Sequence, residues 1–497
     1  MLEKVQADRL KKLDAIRELG IDPYGGRYDT AEPIAEVVAR YEAWEAEKGG
    51  AEAAKDAEDQ PRGDAAGRLV LIRDMGRMIF AHLRDESGQM QIALRKNAFP
   101  DGDETSWSLA KLLDLGDLLA VAGPAQRTRT GEVTIWAERL TLLTKSLNPM
   151  PEKFHGLQDT EARYRQRYLD LMTNPESLRR FQQRIAILEH FRDRLKARGF
   201  VEVETPMMQS IYGGAAARPF VTHHNALDTD LFLRISPELF LKRLLVGGMG
   251  KVYEINRNFR NEGLDTRHNP EFTMLELYQA HADYHVMMDI TEELIAGAGV
   301  GVRGTGKLPY GELEIDYTTP WPRGKYADLL RKHAGVEMRD AAAVRAKARE
   351  LGLEESNKDD AVVVNEVFEA TVEPHLVQPT FVLDYPAELC PLTRRKADDP
   401  TIAERFELYI AGMEIANAYT ELNDPSVQEA NFREQLRGEA EGETMRVMDE
   451  DFVTALRHGM PPAGGLGIGI DRVVMLLTNT TSIRDVILFP MLRPERP

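Results

Sequence analysis

Residues 251–278 read KVYEINRNFRNEGLDTRHNPEFTMLELY, and they constrain the fold more than any other stretch. Two strand-like runs flank a polar loop from Gly263 to Asn269. Alternation along a strand places Arg260 and Glu262 on one face of the first run, and Phe272, Glu276 and Tyr278 on one face of the second. If that face is buried, an arginine, two glutamates and two aromatics need ligands to satisfy their charges. If it is solvated, the segment is a plain amphipathic hairpin. Arg267 and His268 at the loop tip add cationic donors suited to a phosphate.

Three other segments carry chemistry. GGLGIGIDRVVMLL (464–477) lacks the strand–turn–helix phosphate loop of dinucleotide-binding chains, and its glycines fit a close-packed strand. Arg472 leaves that apolar strand for a helix, so its guanidinium must turn toward an anion or a π-face. In RFELYIAGMEIANAYTELND (405–424), a two-residue turn at Ala411-Gly412 pairs Tyr409 with Glu414, with Glu407 diagonal to Glu414. Two converging carboxylates with no base beside them repel unless a hard cation such as Mg²⁺ lies between. Asn417, Tyr419 and Glu421 fall on the opposite face, so bringing both faces to one pocket predicts a bulge near Ala416. In SPELFLKRLL (236–245), Ser236 caps a helix whose dipole favours an acid in the first turn, so Glu238 reads as structural on these grounds. Gly213-Gly214 reads as a turn, and His223 and His224 lack metal-ligand spacing.

The N-terminal third has a different texture. Residues 1–20 predict an amphipathic helix with a stripe of Val5, Leu10, Leu13, Ile16 and Leu19, stopped by Gly20. Residues 45–66 contain no large aliphatic and read as a charged surface insert rather than core. Short strands between turn residues then fill 67–145, which suggests a small closed barrel of the oligonucleotide-binding kind. A proline-containing linker follows at 146–160. From 161 to 497, strand hairpins and long helices argue for an α+β domain with a largely antiparallel sheet. Its first long helix starts at Asn174-Pro175-Glu176, carries Leu178, Phe181, Ile185, Leu188, Phe191 and Leu195, and ends at Gly199.

Composition sets limits on partners. A net charge of −18 over 497 residues disfavours nucleic-acid binding by bulk electrostatics, yet residues 161–200 hold ten Lys/Arg against five Asp/Glu. One cysteine, Cys390, excludes an internal disulfide framework. No apolar run approaches a membrane span and the N-terminus is not signal-like, which points to the cytosol.

RNFRNEG with RHNPEFTMLELY resembles motif 2 of the class II aminoacyl-tRNA synthetases, and GLGIGIDRVVML resembles their motif 3. The helix 175–199 leading into VEVETPMM, with Pro206, resembles motif 1. GGAAARPF, THHNALD, SPELFLKRL, EIANAYTELNDP and DVILFPMLRP narrow the resemblance to the bacterial lysyl-tRNA synthetases. It implies an N-terminal anticodon-binding barrel, a class II catalytic sheet, and a homodimer formed through motif 1. It further implies that ATP is held by Arg260, Glu262, Arg267, His268, Asn269, Phe272 and Arg472. Arg260 would stabilise the charge at the attacked phosphorus, while Phe272 and Arg472 would enclose adenine. Glu407 and Glu414 would ligate Mg²⁺, with two or three ions per site.

Lysine would be held by Gly214, Glu238, Glu276, Tyr278, Asn417, Tyr419 and Glu421, with Gly214 and Glu238 on its α-amino group, which replaces the structural reading of Glu238. An acidic pocket suits a side-chain ammonium. In the barrel the resemblance implies that Phe80 and Gln91 stack on and read anticodon bases, assisted by Arg68 and Glu138. A protein-modifying ligase would lack the barrel, and a regulatory relative would lose the Arg260, Arg472 or Glu407/Glu414 positions; the chain keeps all of them.

Overall fold

A computed structural model describes residues 2–54, 57, 59–99, 104–151, 159–215, 217–356, 358–435 and 448–495. The chain forms two compact units, residues 1–157 and 158–497.

In the first unit six strands close on themselves: β1 (Arg62–Asp74), β2 (Met78–Arg84), β3 (Gln89–Arg95), β4 (Leu118–Arg127), β5 (Val133–Trp136) and β6 (Arg139–Thr144). The order is β1-β2-β3-β5-β4-β6, and β1 also pairs with β4 to shut the barrel. Leu69, Ile79, Leu83, Ile92, Leu119, Val121 and Ile135 fill its interior.

The barrel begins before the predicted residue 67. Arg62 to Ala66 form the first half of β1 and pair in register with Pro124 to Ala120. This stretch is poor in large aliphatics because the helix Ile34–Glu47 lies over it. A β-carbon on Gly63 would meet Val37 at 2.6 Å and Ile135 at 3.0 Å. The surface-insert reading of 45–66 therefore holds only in part: 62–66 belong to β1, Glu45 is buried against Arg127 (2.7 Å) and Ala54 is buried, whereas 46–49 and 51–53 are exposed. The helix Leu2–Glu18 buries Arg9, Leu13 and Ile16, whereas Leu10 faces solvent. Arg9 replaces Leu10 on the inner face because its guanidinium donates to the carbonyls of Leu115, Ser146 and Asn148.

The second unit is built on an eight-stranded sheet: β7 (Val201–Glu202), β8 (Lys251–Phe259), β9 (Glu271–Ala280), β10 (Arg323–Lys325), β11 (Thr380–Pro386), β12 (Ile402–Ile410), β13 (Met413–Thr420) and β14 (Ala463–Gly469). Its order is β10-β11-β12-β13-β14-β9-β8-β7, antiparallel except for the parallel outermost pairs at each edge. One face packs on the helices Pro175–Ala197, Tyr284–Arg303 and Ile470–Leu477 through Leu275, Leu277, Phe406, Leu408 and Ile468. The other face carries the polar residues.

Asn174 caps the first helix, accepting from the backbone N–H of Glu176 (3.1 Å), and Gly199 ends it at φ +80°. Ile187, not Ile185, joins the core; Ile185 is 56% exposed. Phe181, Phe191 and Leu195 keep their predicted burial, and the added Ile187 reflects a face broader than one stripe. No helix among the described residues is long and apolar enough to cross a membrane.

Candidate active site

The alternating glycines of β14 form a floor. Register places Glu276 opposite Gly467 and Gly467 opposite Asn417; the next row is Tyr278, Gly465 and Tyr419. Directly paired residues share a face, so β9 and β13 raise walls on either side of a strip with no side chains. A β-carbon at Gly465 would overlap the carboxylate of Glu421 and come within 2.5 Å of the Tyr278 ring. One at Gly467 would meet Asn417 Oδ1 at 3.1 Å and Met274 Cε at 3.3 Å.

The wall on β13 depends on one irregularity. Ala411 (φ +54°) and Gly412 (φ +66°) make the predicted two-residue turn, and Tyr409 stands opposite Glu414. Leu408 then pairs with Ala416, leaving Ile415 as an extra residue. This is the bulge expected near Ala416, and it turns Glu414 onto the face of Asn417 and Tyr419. Asn417 Nδ2 donates to Glu414 Oε1 at 3.1 Å.

Glu407 shares that face but is not without a base, as the repulsion argument assumed. Arg405 forms a direct ion pair with it, and the Tyr385 and Tyr409 hydroxyls donate to it at 2.7 and 2.6 Å. Arg405 is invisible as a partner in sequence because residues two apart on a strand read as neighbours on one face, not as a contact.

At the other end, an open-mouthed cavity is lined by Arg260, Glu262, Arg267, His268, Asn269, Phe272 and Arg472, together with Glu414, Asn417, Gly467 and Asp471. The Arg260 guanidinium lies 5.1 Å from the centre of the Phe272 ring, and its buried Nε has no partner among the described residues. Arg472 donates to the Glu414 carbonyl (2.6 Å) and to His268 Nε2 (3.0 Å), tying the helix to the loop tip. Asn269, by contrast, is anchored in the fold: it donates to the Glu271 carbonyl and accepts from the Met491 N–H. Asp471 escaped the sequence analysis. Buried beside Arg472, it accepts from Arg184 (2.6 Å) and from the Thr273 N–H (2.7 Å), which fixes motif-like segments of three elements together.

Beyond Gly467 lies a buried acidic pocket. Glu238, Glu276 and Glu421 are all below a tenth exposed. Glu276 has the Ser236 hydroxyl within 3.1–3.2 Å and no cation in contact among the described residues. Burial, then the charge of Glu238, pushes its carboxyl up to about 8. Burial also raises Glu421, although the ammonium of Lys242 opposes the rise. Gly214, at φ +85°, packs against Ser236 and Glu238, where a β-carbon would meet them at 3.0 and 3.1 Å. Its left-handed backbone and this close approach both require glycine. Lys242 was missed, since a Glu–Lys pair four residues apart on a helix ordinarily means a solvated face.

On the barrel, Phe80 meets Trp136 edge-to-face at 6.1 Å, and Arg95 lies over the Trp136 ring at 4.7 Å. Gln91 is mostly buried; it donates to Glu132 (2.7 Å) and accepts from Thr134 (2.9 Å). His82 reaches the other oxygen of Glu132. Glu138, named with Arg68 as assisting, pairs with Arg62 on the early part of β1. Arg68 donates to the Gly116 carbonyl at 2.7 Å. Glu132, which the sequence reading did not single out, is the carboxylate hydrogen-bonded to Gln91.

Residues 159–493 match the family of class II tRNA synthetases (D, K and N), and residues 65–143 match the OB-fold nucleic acid binding domain. The chain is 52% identical to the lysine–tRNA ligase of Pelotomaculum thermopropionicum, over 99% of this chain and 96% of that protein. The lysine–tRNA ligase of Carboxydothermus hydrogenoformans is 50% identical over 98% and 97%, and that of Moorella thermoacetica 50% over 99% and 98%.

Proposed function

Because the chain belongs to the class II tRNA synthetases and, within them, to the lysine–tRNA ligases, we propose a division of labour among the residues just described. The enzyme activates L-lysine with ATP, giving lysyl-adenylate and pyrophosphate, and transfers the lysyl group to the 3′-terminal ribose of its tRNA. No side chain acts as nucleophile. A lysine carboxylate oxygen attacks the α-phosphorus, that O–P bond forms, and the bond to the pyrophosphate leaving group breaks. Catalysis is then positioning plus electrostatic stabilisation.

Arg260 holds the α-phosphate and the charge that develops on it; its partnerless Nε and its place at the junction of the two pockets support this role. Phe272 and Arg472 enclose adenine, Glu262 accepts from the adenine amine, and Arg267 and His268 hold the γ-phosphate. Asn269 keeps the loop in place. Glu238 with Gly214 takes the α-amino group of lysine, and Glu276 takes its ε-ammonium, with Tyr278, Asn417, Tyr419 and Glu421 completing the pocket.

The acidic end fits a hard divalent cation. Glu414 lines the cavity, and Glu407 lies on the same face behind it. Burial together with the charges of Glu407 and Glu414 lifts the carboxyls of Glu369 and Glu373, so negative charge exceeds what Arg405 offsets. Among the described residues no three acidic, His or Cys side chains form a metal cage, so an ion held by Glu407 and Glu414 would need further oxygen ligands from outside the protein. Glu407 and Glu414 would hold Mg²⁺, which would supply positive charge to offset that of the phosphates.

The single observation that carries this reading is the trough over Gly465 and Gly467, which joins a cavity lined by cationic and aromatic side chains to a pocket of three buried carboxylates. ATP–pyrophosphate exchange with each of the twenty amino acids, Mg²⁺ present and no RNA added, tests it. Exchange with lysine alone is expected; exchange with another amino acid would reassign Glu276 and Glu421.

The barrel face of Phe80, Trp136, Arg95, Gln91 and Glu132 binds the anticodon by stacking and edge hydrogen bonds. Ile185, Val201, Met207, Met208, Val221 and Leu227 are exposed apolar residues in and just after the motif 1 segment, and they form the homodimer contact. Sedimentation equilibrium should give about twice the chain mass. The site of action is the cytoplasm, where tRNA is charged.

A further inference from the structure

Lys242 has no part in the roles above, yet it lies inside the acidic pocket. It sits one turn along the helix Glu238–Val246 and is fully buried. Its Nζ donates to Glu238 Oε1 at 2.7 Å and lies 2.5 Å from Glu421 Oε2. The Tyr278 ring centre is 5.9 Å away. Burial by itself would strip the ammonium of its proton, but Glu238 and Glu421 more than offset that and hold it charged.

The charges around it can be counted. Fully ionised, as when lysine is bound, Glu238, Glu276 and Glu421 bring three negative charges and Lys242 one positive. Glu254, which stands opposite Glu276 on β8, is neutralised by Arg234 at 2.7 Å. Arg260 lines the ATP end. Two negative charges remain for the two ammonium groups of a free lysine, and Glu276 is the carboxylate that no resident cation touches.

We infer that Lys242 is a positioning residue that sets the selectivity of the pocket: a resident ammonium that clamps Glu238 and Glu421 and cancels one of three carboxylate charges, leaving a complement for a substrate with two ammonium groups. This rests on the lysine-pocket reading given above. Without Lys242 the three carboxylates repel, at least one takes up a proton, and neither Glu238 nor Glu421 keeps its orientation.

The test uses Lys242→Met, which keeps the length of the stem, and Lys242→Arg, which keeps the charge. ATP–pyrophosphate exchange is followed from pH 6.5 to 9. In Lys242→Met the KM for lysine should rise at least about 30-fold, with kcat and the KM for ATP changed less than about threefold. The rise of kcat/KM for lysine with pH should also move up by about one pH unit or more. Lys242→Arg should recover most of the loss. If Lys242→Met does not fold, Lys242→Gln supplies the same readings without the charge. A wild-type lysine KM and pH profile in either neutral variant would overturn the inference, as would an equal loss in the Met and Arg variants. Wild-type enzyme that activates no lysine would overturn the pocket reading itself.

Discussion

Gly465 and Tyr278 stand opposite one another on adjacent strands, and a methyl group on the glycine would lie 2.5 Å from Cε1 of the ring. Gly465→Ala should therefore block the amino-acid end of the trough while leaving the ATP end open. Overpacking of this kind costs about 1–3 kcal/mol, so lysine affinity should fall roughly 5- to 150-fold. ATP affinity, followed by equilibrium titration, should stay within about threefold. Unchanged lysine binding would mean that the substrate does not lie over β14.

The carboxyl of Glu276 gives the apo enzyme a pH signature. Its value of about 8 in the fold lies above its unfolded value, so the native state holds one more proton between about pH 4.5 and 8. Stability of the empty enzyme should then be greatest below pH 4.5 as far as this group is concerned, and fall by roughly 1 kcal/mol per pH unit as pH rises toward 8. Lysine reverses the sign by bringing an ammonium to the carboxylate. At pH 7, calorimetry in buffers of different ionisation heat should detect close to one proton released per lysine bound. Zero release would mean that Glu276 is already ionised when the pocket is empty.

Arg260→Ala separates chemistry from folding. Because the guanidinium makes its contact with the Phe272 ring and leaves Nε unpaired, its loss should lower the melting temperature by only a few degrees. Removal of a transition-state donor costs about 10²–10³ in kcat, and pyrophosphate exchange should fall by at least that factor. Near-normal exchange would take Arg260 out of the transition state.

Phe80→Ala should divide the two half-reactions. A stacked base contributes about 1–3 kcal/mol, so kcat/KM for tRNA charging should drop roughly 10- to 100-fold while exchange without RNA is unaffected. Equal loss in both assays would place Phe80 in the structural core of the barrel instead.

Much of the catalytic sheet was legible because its residues obey alternation. The runs on either side of Gly263 to Asn269 form β8 and β9, and Ala411-Gly412 makes the turn whose chemistry demands left-handed backbone. The bulge was accessible by a stricter argument: Glu414 and Asn417 can share a pocket only if one residue is added between them. Elsewhere local pattern and tertiary packing part company. The strand from Arg62 to Ala66 is hidden because a helix on top of it leaves room only for small side chains. Arg405, Lys242 and Glu132 escaped for another reason. Arg405 pairs with Glu407 on its own strand, Lys242 bridges Glu238 on its own helix to Glu421 on another element, and Glu132 meets Gln91 on β3 and His82 on β2. A charged residue in sequence looks the same whether water or a buried carboxylate surrounds it.

The floor of the trough is defined by atoms that are absent, which bears on how the specificity of such an enzyme can be redesigned. Positions 465 and 467 offer no chemistry to vary, and a side chain there would collide with Glu421 and Tyr278, or press on Asn417 and Met274. On the proposed lysine-pocket reading, the discriminating groups stand on the walls, at 276 and 278 on one side and 417, 419 and 421 on the other. A mutagenesis library meant to admit a different amino acid should keep both glycines invariant and randomise the walls in pairs across them.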